Sequence, residues 1–89
     1  MTSRGTPRFW ESYGRLSPEI KRAAREAYWK FAENPSHPSL RLERLRRDPR
    51  FWSVRVTRDY RAVAKRSAND DWVWVWIGSH AEFDRMFSI

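Results

Sequence analysis

The feature that most constrains this chain is an unbroken run of β-favouring apolar residues, WVWVWI, from Trp72 to Ile77. In a strand, successive side chains point to opposite faces of the sheet. Alternation therefore predicts that the three tryptophans lie on one face and that Val73, Val75 and Ile77 lie on the other. Both faces of this strand need apolar cover, which is typical of a strand at the centre of a sheet.

Two amphipathic helices are predicted before this strand. The first runs from about Pro7 to Arg15, after a polar start at residues 1–6 that is expected to be frayed. The second runs from about Pro18 to Glu33, with the hydroxyl of Ser17 as its N-cap. Its apolar residues keep a spacing of 3.6 and are Ile20, Ala23, Ala24, Ala27, Tyr28 and Phe31.

The segment Asn34 to Pro38 ends the second helix, because two prolines in four positions cannot continue it. Beyond it the period changes to that of strands, which are expected near residues 40–45, 51–57, 60–66 and 72–78. Short turns at 58–59 and 68–70 suit antiparallel hairpins. The whole pattern predicts an α+β fold, with an N-terminal helical hairpin packed on one face of a three- to four-stranded antiparallel sheet.

Length and composition narrow the classes of function. The 89 residues suit a single domain spanning residues 1–89, and the absence of cysteine excludes disulfides, thiolate zinc sites and thiol catalysis. The sequence has no HExxH spacing, Gly-rich phosphate loop or GxSxG motif, so neither a metal nor another cofactor is expected. It also contains no run of ~18 apolar residues and no signal-peptide core, which predicts a cytoplasmic protein. The net charge of +7 predicts an acidic partner.

A family resemblance spans residues 9–87. The helical pair is followed by NPSHPSL, then by WSVRV and DYRAV, and finally by VWVWIGSHAEFDRM. Together these segments resemble the RelE/ParE superfamily of bacterial type II toxins, in particular its HigB-like and ParE-like members. The first strand that members place before the helices is not evident, because helix signals begin at Pro7. Ser53 and Arg55 stand where RelE has two lysines, and His80 stands where RelE has a basic side chain.

The resemblance implies a small α+β toxin that a co-encoded antitoxin holds inactive by wrapping it with a flexible segment. RelE-like members cut messenger RNA in the ribosomal A site without a metal, whereas ParE-like members poison DNA gyrase. A ribosome-dependent endoribonuclease that inhibits translation is therefore expected, with messenger RNA, the ribosome and an antitoxin as partners. The alternatives are a gyrase inhibitor and a catalytically silent module that binds an antitoxin or nucleic acid.

Metal-free RNA cleavage needs proton-transfer groups and cations beside the phosphate. Alternation places Arg61 and Lys65 on one side of their strand, and a hairpin would bring Arg55 beside them. Arg61 matches the arginine of the family's Tyr-Arg motif and is expected to clamp the phosphate with Arg55. The alternative for Arg61 is an exposed ion pair with Asp59 or Asp84.

His80 follows the last strand, and its ordinary pKa of ~6.5 suits it to act as acid or base. The alternative is that it caps a turn or bonds Glu82. Glu82 itself either orients the imidazole or begins a final helical turn, and the second role is preferred. His37 lies in the Pro-rich connection, where a structural role is expected.

Two further surfaces are predicted to bind partners. A cluster of arginines around the first predicted strand is expected to contact phosphate, or else to be a solvated face; its members are Arg41, Arg44, Arg46, Arg47 and Arg50. Phe83, Met86 and Phe87 form an apolar stripe that is expected either to bind an antitoxin helix or to close the core.

Overall fold

The computed structural model describes residues 2–87, which form three α-helices and one five-stranded sheet. The helices are α1 (Pro7–Gly14), α2 (Pro18–Glu33) and α3 (His80–Phe87), and the strands are β1 (Thr2–Gly5), β2 (Glu43–Arg44), β3 (Phe51–Thr57), β4 (Tyr60–Arg66) and β5 (Asp71–Ser79). The strand order is β1-β5-β4-β3-β2. Helices α1 and α2 pack on one face of the sheet, so the predicted α+β layout is confirmed. We call this the helical face.

Capping residues fix where the two N-terminal helices begin. The side chain of Thr6 accepts a hydrogen bond from the backbone N–H of Phe9 at 3.1 Å, and Pro7 occupies the first helical position. Ser17 plays the same part for α2, whose bounds agree with the prediction. Each cap satisfies an N–H that the first turn of a helix leaves without an intrahelical partner.

Two details of the predicted layout are wrong: residues 2–5 are not frayed, and the sheet has five strands, one of them parallel, instead of three or four antiparallel strands. Residues Thr2–Gly5 form β1, which pairs in parallel with β5 along the edge that β4 leaves free; Met1 lies outside the described residues. The indole N–H of Trp74 donates to the hydroxyl of Ser3 at 2.8 Å. A strand of four residues without an apolar alternation gives no local signal, because its stability comes from a partner about seventy positions away in the sequence.

The strand expected at residues 40–45 is also corrected. Pro38–Leu40 forms a single 3₁₀ turn that buries Leu40, and the strand that follows is limited to Glu43 and Arg44, which pair with Ser53 and Trp52 of β3. Arg41 has a φ of 46°, in the left-handed region, which interrupts the extended chain. The alternating leucines and charged residues at positions 40–45 therefore do not mark a long strand. Leu40 is buried because it ends the 3₁₀ turn.

A β-bulge in β5 overturns the predicted alternation of the tryptophans. Val63 of β4 pairs with Trp76, whereas the next residue, Ala64, pairs with Trp74, so Val75 is an extra residue in β5. One inserted residue reverses which face the following side chains occupy. Trp72 and Trp74 therefore lie on the helical face with Ile77, and Trp76 lies on the opposite face.

The core lies between α2 and the sheet. Phe31 of α2 is fully buried and makes edge-to-face contacts with Trp72 and Trp74, at ring-centroid distances of 4.9 and 5.1 Å. All three tryptophans of β5 are buried, as expected for core residues. No helix within residues 2–87 is long and apolar enough to cross a bilayer.

We predict that Phe31→Ala lowers the free energy of unfolding by about 3–5 kcal/mol, because it leaves a cavity beneath two indole rings. The matched control is Trp29→Ala in the same helix, since that side chain is 68% exposed and its loss is expected to cost less than about 0.5 kcal/mol. Urea denaturation of both variants tests this, and equal losses would contradict the assigned core.

Candidate active site

Two arginines face each other across the hairpin of β3 and β4. Arg55 and Arg61 are direct partners in the register, as the sequence predicted, and Lys65 lies four residues further along β4. The intervening residues of these strands, Val54 and Ala62, belong to the core on the helical face. Because alternate residues of a strand occupy opposite faces, the three cations lie on the other face. We call this side of the sheet, which carries Arg55, Arg61 and Lys65, the cationic face.

Neither arginine of this pair is neutralised by an acidic side chain. Among residues 2–87, ion pairs join Arg15 to Glu11, Arg50 to Asp48 and Arg66 to Asp70, and none involves Arg55 or Arg61. The predicted alternative of an ion pair between Arg61 and Asp59 or Asp84 is therefore not found. Like charges directly opposite each other are unfavourable in a sheet. A bound anion would relieve that repulsion, so the pair suits a phosphate.

Helix α3 begins at the end of β5 through a reciprocal pair of hydrogen bonds. The carboxylate of Glu82 accepts from the backbone N–H and hydroxyl of Ser79 at 3.3 and 3.1 Å, and the hydroxyl of Ser79 accepts from the N–H of Glu82 at 3.2 Å. This is the capping box that the letters S-H-A-E encode. Glu82 therefore starts the helix, as preferred from sequence, and the capping box makes His80 the first helical residue.

His80 lies next to the hairpin turn and close to Arg61. Its backbone N–H donates to the carbonyl of Asp59 at 2.6 Å. The ring of Phe83 is near both candidate catalytic side chains: its centroid is 6.2 Å from that of His80 and 5.7 Å from the guanidinium carbon of Arg61. The structure thus groups His80 and Arg61 around one aromatic ring, with Arg55 as the cross-strand neighbour of Arg61.

The acid beside the imidazole is Asp84, which the sequence reading did not assign to His80. Nε2 of His80 lies 3.5 Å from the carboxylate of Asp84, one helical turn further along α3. An i,i+4 pair on a helix places two side chains on the same face, so the spacing was available in the sequence. Both side chains are partly exposed, which leaves the imidazole accessible to a substrate.

Trp76 holds α3 against the cationic side of the sheet. Its ring is 6.2 Å from that of Phe83 and 5.3 Å from that of Phe87. These two members of the predicted apolar stripe therefore close a small core on this face, whereas Met86 remains 44% exposed. The position of α3, and with it that of His80, depends on the bulge that turned Trp76 to this face.

The arginine cluster predicted to contact phosphate is divided. Arg44 lies on the helical face, with its guanidinium 4.8 Å from the ring of Trp52, opposite to the cationic face. Arg41, Arg46 and Arg47 are exposed in the connections that flank β2. Arg50 makes hydrogen bonds of 2.9 and 2.7 Å to Asp48, and these lower the pKa of that carboxyl from 3.8 to about 2. Only Lys65 of the predicted phosphate-binding set lies on the cationic face.

His37 has the structural role expected for it. Its Nδ1 accepts a hydrogen bond from the backbone N–H of Ser39 at 3.1 Å and so caps the 3₁₀ turn that buries Leu40. Within residues 2–87, no three histidine, aspartate or glutamate side chains lie close enough together to hold a metal ion.

Comparison with known proteins gives one family and several similar structures. A family model described as a ParE-like toxin domain matches residues 18–85. A search of curated protein sequences gives no match.

Three solved structures have the same fold. The YoeB/ParE toxin from Agrobacterium tumefaciens is 19% identical, with a TM-score of 0.72 over 90% of this chain and 99% of that chain. YafQ from E. coli strain BL21(DE3) is 10% identical, with a TM-score of 0.74 over 91% of this chain and 94% of that one. The RelB–RelE antitoxin–toxin complex from Methanococcus jannaschii is 10% identical, with a TM-score of 0.70 over 93% and 96%.

We predict that Ser79→Ala destabilises α3 by about 1 kcal/mol, because the first turn loses the hydroxyl that accepts from the N–H of Glu82. Amide hydrogen exchange in residues 80–87 should become faster, while exchange in β3 and β4 stays slow. Ser12→Ala is the control, since it removes a hydroxyl that only bonds a carbonyl within α1. Unchanged exchange in α3 would contradict the capping box.

We predict that the carboxyl of Asp48 titrates near pH 2 and that Arg50→Gln moves its midpoint towards 3.8, since the Arg50 side chain is the largest cause of the low pKa. A depressed pKa in the folded state stabilises the fold above the unfolded value, and this contribution is lost as the pH falls through about 2. Carbon-detected NMR titration measures the midpoint. Arg47→Gln serves as the control and should leave it unchanged.

Proposed function

Because this chain belongs to the ParE-like toxin family and is the toxin of a toxin–antitoxin system, we propose that it is a metal-independent endoribonuclease that cuts messenger RNA on the ribosome. The observation that favours cleavage is the grouping of an accessible imidazole with two guanidinium groups that have no acidic partner among residues 2–87. His80 and Arg61 both lie near the ring of Phe83, and Arg55 lies directly opposite Arg61 in the strand register. Such a set can bind a phosphate and move a proton beside it.

The reaction follows from the chemistry of RNA itself. The 2′-hydroxyl oxygen attacks the adjacent phosphorus as it loses its proton, and the bond from phosphorus to the 5′-oxygen breaks as that oxygen gains one. Negative charge grows on the non-bridging oxygens in the transition state. Arg61 and Arg55 donate hydrogen bonds to those oxygens, and the planar fork of each guanidinium suits two acceptors at once.

His80 supplies one of the two proton transfers. Its imidazole is the only histidine ring on this side of the sheet within residues 2–87, because His37 caps the 3₁₀ turn. The carboxylate of Asp84, 3.5 Å from Nε2, orients the ring. Asp84 is therefore a positioning residue in this proposal, and it adds to the residues that the sequence indicated.

The remaining basic residues suit the ribosome and its RNA as partners. Lys65 extends the cationic face along β4, and Arg41, Arg46 and Arg47 are exposed around β2. Each phosphate that such a cation neutralises adds to the affinity and to its dependence on salt. The cognate antitoxin is the third partner, as it is for the toxin of the RelB–RelE complex.

A second candidate function is inhibition of DNA gyrase. It is favoured by the matching model, which is that of ParE-like toxin domains. Gyrase binding would need an exposed surface but no proton transfer, so the two proposals differ in their dependence on His80.

We predict that His80→Ala and Arg61→Ala each slow the cleavage of messenger RNA on purified ribosomes by at least about 100-fold, the usual contribution of one proton-transfer group or one transition-state donor. Arg22→Ala is the control, because this exposed arginine of α2 lies away from the cationic face. Mapping the 5′ ends of the cleaved message measures the rate and the position.

The variants His80→Ala and Arg61→Ala also distinguish the nuclease proposal from the gyrase proposal. Inhibition of supercoiling by purified gyrase that persists in His80→Ala and Arg61→Ala, without any cut message, would replace the nuclease proposal with the gyrase proposal. Wild-type protein that neither cuts message nor inhibits gyrase would support a catalytically silent binding module. Circular dichroism confirms that each variant is folded.

A further inference from the structure

A small polar cleft lies at the edge of the sheet, where β2 ends and β3 continues alone. Its volume is about 250 Å³. Ala23 and Ala27 of α2 form one wall, Ser39 and Leu40 of the 3₁₀ turn form another, and residues 55–58 of β3 and its turn close it. We call this cavity the edge cleft.

The edge cleft exists because β2 is short and the side chains of α2 that face it are small. β2 pairs with β3 only at Ser53 and Trp52, and the residue two positions before β2, Arg41, has a left-handed φ of 46°. The outer edge of β3 from Arg55 onward therefore has no strand beside it within residues 2–87. The two alanines of α2 leave room between the helix and that edge.

The backbone N–H of Arg55 points to this open edge. In an antiparallel sheet, successive residues of a strand bond alternately to the neighbour on one side and on the other. The N–H of Leu45, beside β2, donates to the carbonyl of Phe51 at 2.9 Å, so the odd-numbered residues of β3 bond towards β2. The N–H of Arg66 in β4 donates to the carbonyl of Arg50 at 2.9 Å, so the even-numbered ones bond towards β4. Because β2 does not extend to Arg55, its N–H is a donor at the edge cleft.

Two cations and one carboxylate surround the edge cleft. Lys30 lies on α2 and Arg58 lies in the hairpin turn, and both are exposed. Among residues 2–87, neither forms an ion pair with a carboxylate. Glu26 lies one helical turn before Lys30 and offsets one positive charge. The remaining excess of positive charge, together with the open N–H, favours an anion as the ligand.

Hydroxyl groups add further donors. The hydroxyl of Thr57 accepts from the backbone N–H of Asp59 at 3.2 Å, which leaves its own proton available to a ligand. Cationic side chains, hydroxyls and backbone N–H groups are the donors that proteins use to bind phosphate oxygens. The cleft is smaller than the roughly 300 Å³ at which pockets for drug-sized molecules begin. A single phosphate group fits this combination of size and chemistry.

We propose that the edge cleft binds a phosphate group of an RNA strand, at a position separate from the cleavage site. Arg55 borders both positions, because its side chain lies on the cationic face and its N–H lies at the cleft. A strand held by Arg61 on the cationic face passes the edge of β3 and places a neighbouring phosphate between Lys30 and Arg58. The choice of RNA as the source of the phosphate rests on the proposed function, whereas the anion site itself does not.

The first test titrates inorganic phosphate into the isotope-labelled full chain and follows the amide signal of Arg55 by NMR, which should shift and saturate. Arg58→Ala and Lys30→Ala should each weaken the affinity by about tenfold or more, the loss of one charge-assisted hydrogen bond. Glu26→Gln should strengthen it a few-fold, because a like charge is removed. Arg22→Ala is the matched control, an exposed arginine of α2 outside the cleft, and should change the affinity less than about twofold.

The second test identifies the source of the phosphate. It uses an RNA hexanucleotide whose 2′-hydroxyls are methylated, so that it cannot be cleaved. Arg58→Ala and Lys30→Ala are expected to weaken its binding, and Arg22→Ala is not. If these variants weaken the binding of inorganic phosphate but not that of the hexanucleotide, the ligand is a free phosphate compound and RNA is removed from the proposal.

Two results would overturn the site itself. One is an amide signal of Arg55 that does not respond to phosphate. The other is an equal loss of affinity in Arg22→Ala and Arg58→Ala, which would attribute binding to the overall charge of the chain. Neither titration involves cleavage, so failure of the nuclease proposal is seen separately, in the message-cleavage assay of the wild type. Circular dichroism verifies that each variant is folded.

Discussion

The inserted residue at Val75 determines the arrangement of the candidate active site. Without it, Trp76 would lie beside Trp72 and Trp74 beneath the helices; with it, Trp76 reaches the opposite face and contacts Phe83 and Phe87. Helix α3 is held by these contacts. Because His80 is the first residue of that helix, a local change of register in one strand helps to place the imidazole near the ring of Phe83, which also lies beside Arg61. Bulges of this kind commonly redirect side chains next to functional sites.

The sheet separates two surfaces of different chemistry. On one face, Arg55 and Arg61 oppose each other, and in the part of the chain that the structure describes neither has an acidic partner, although three other arginines are paired with carboxylates. On the other face, small residues of β4 leave a groove lined by aromatic rings. One surface exposes guanidinium groups and the other exposes aromatic rings. In a purely structural protein such groups are usually paired or buried, and exceptions of this kind occur at binding sites. The two surfaces share strands β3 and β4 but do not overlap.

The sequence by itself determined the elements whose signals are local. Caps and periodicity located α2, turn residues located the hairpin of β3 and β4, and alternation placed Arg55 beside Arg61. The capping box of α3 was equally legible in the letters from Ser79 to Glu82. Only the tertiary structure decided the pairing of β1, the face of Trp76 and the gap above Ala62. These depend on contacts between residues distant in sequence, and a strand's neighbours, a bulge or an unfilled space leave no periodic trace in the chain that forms them.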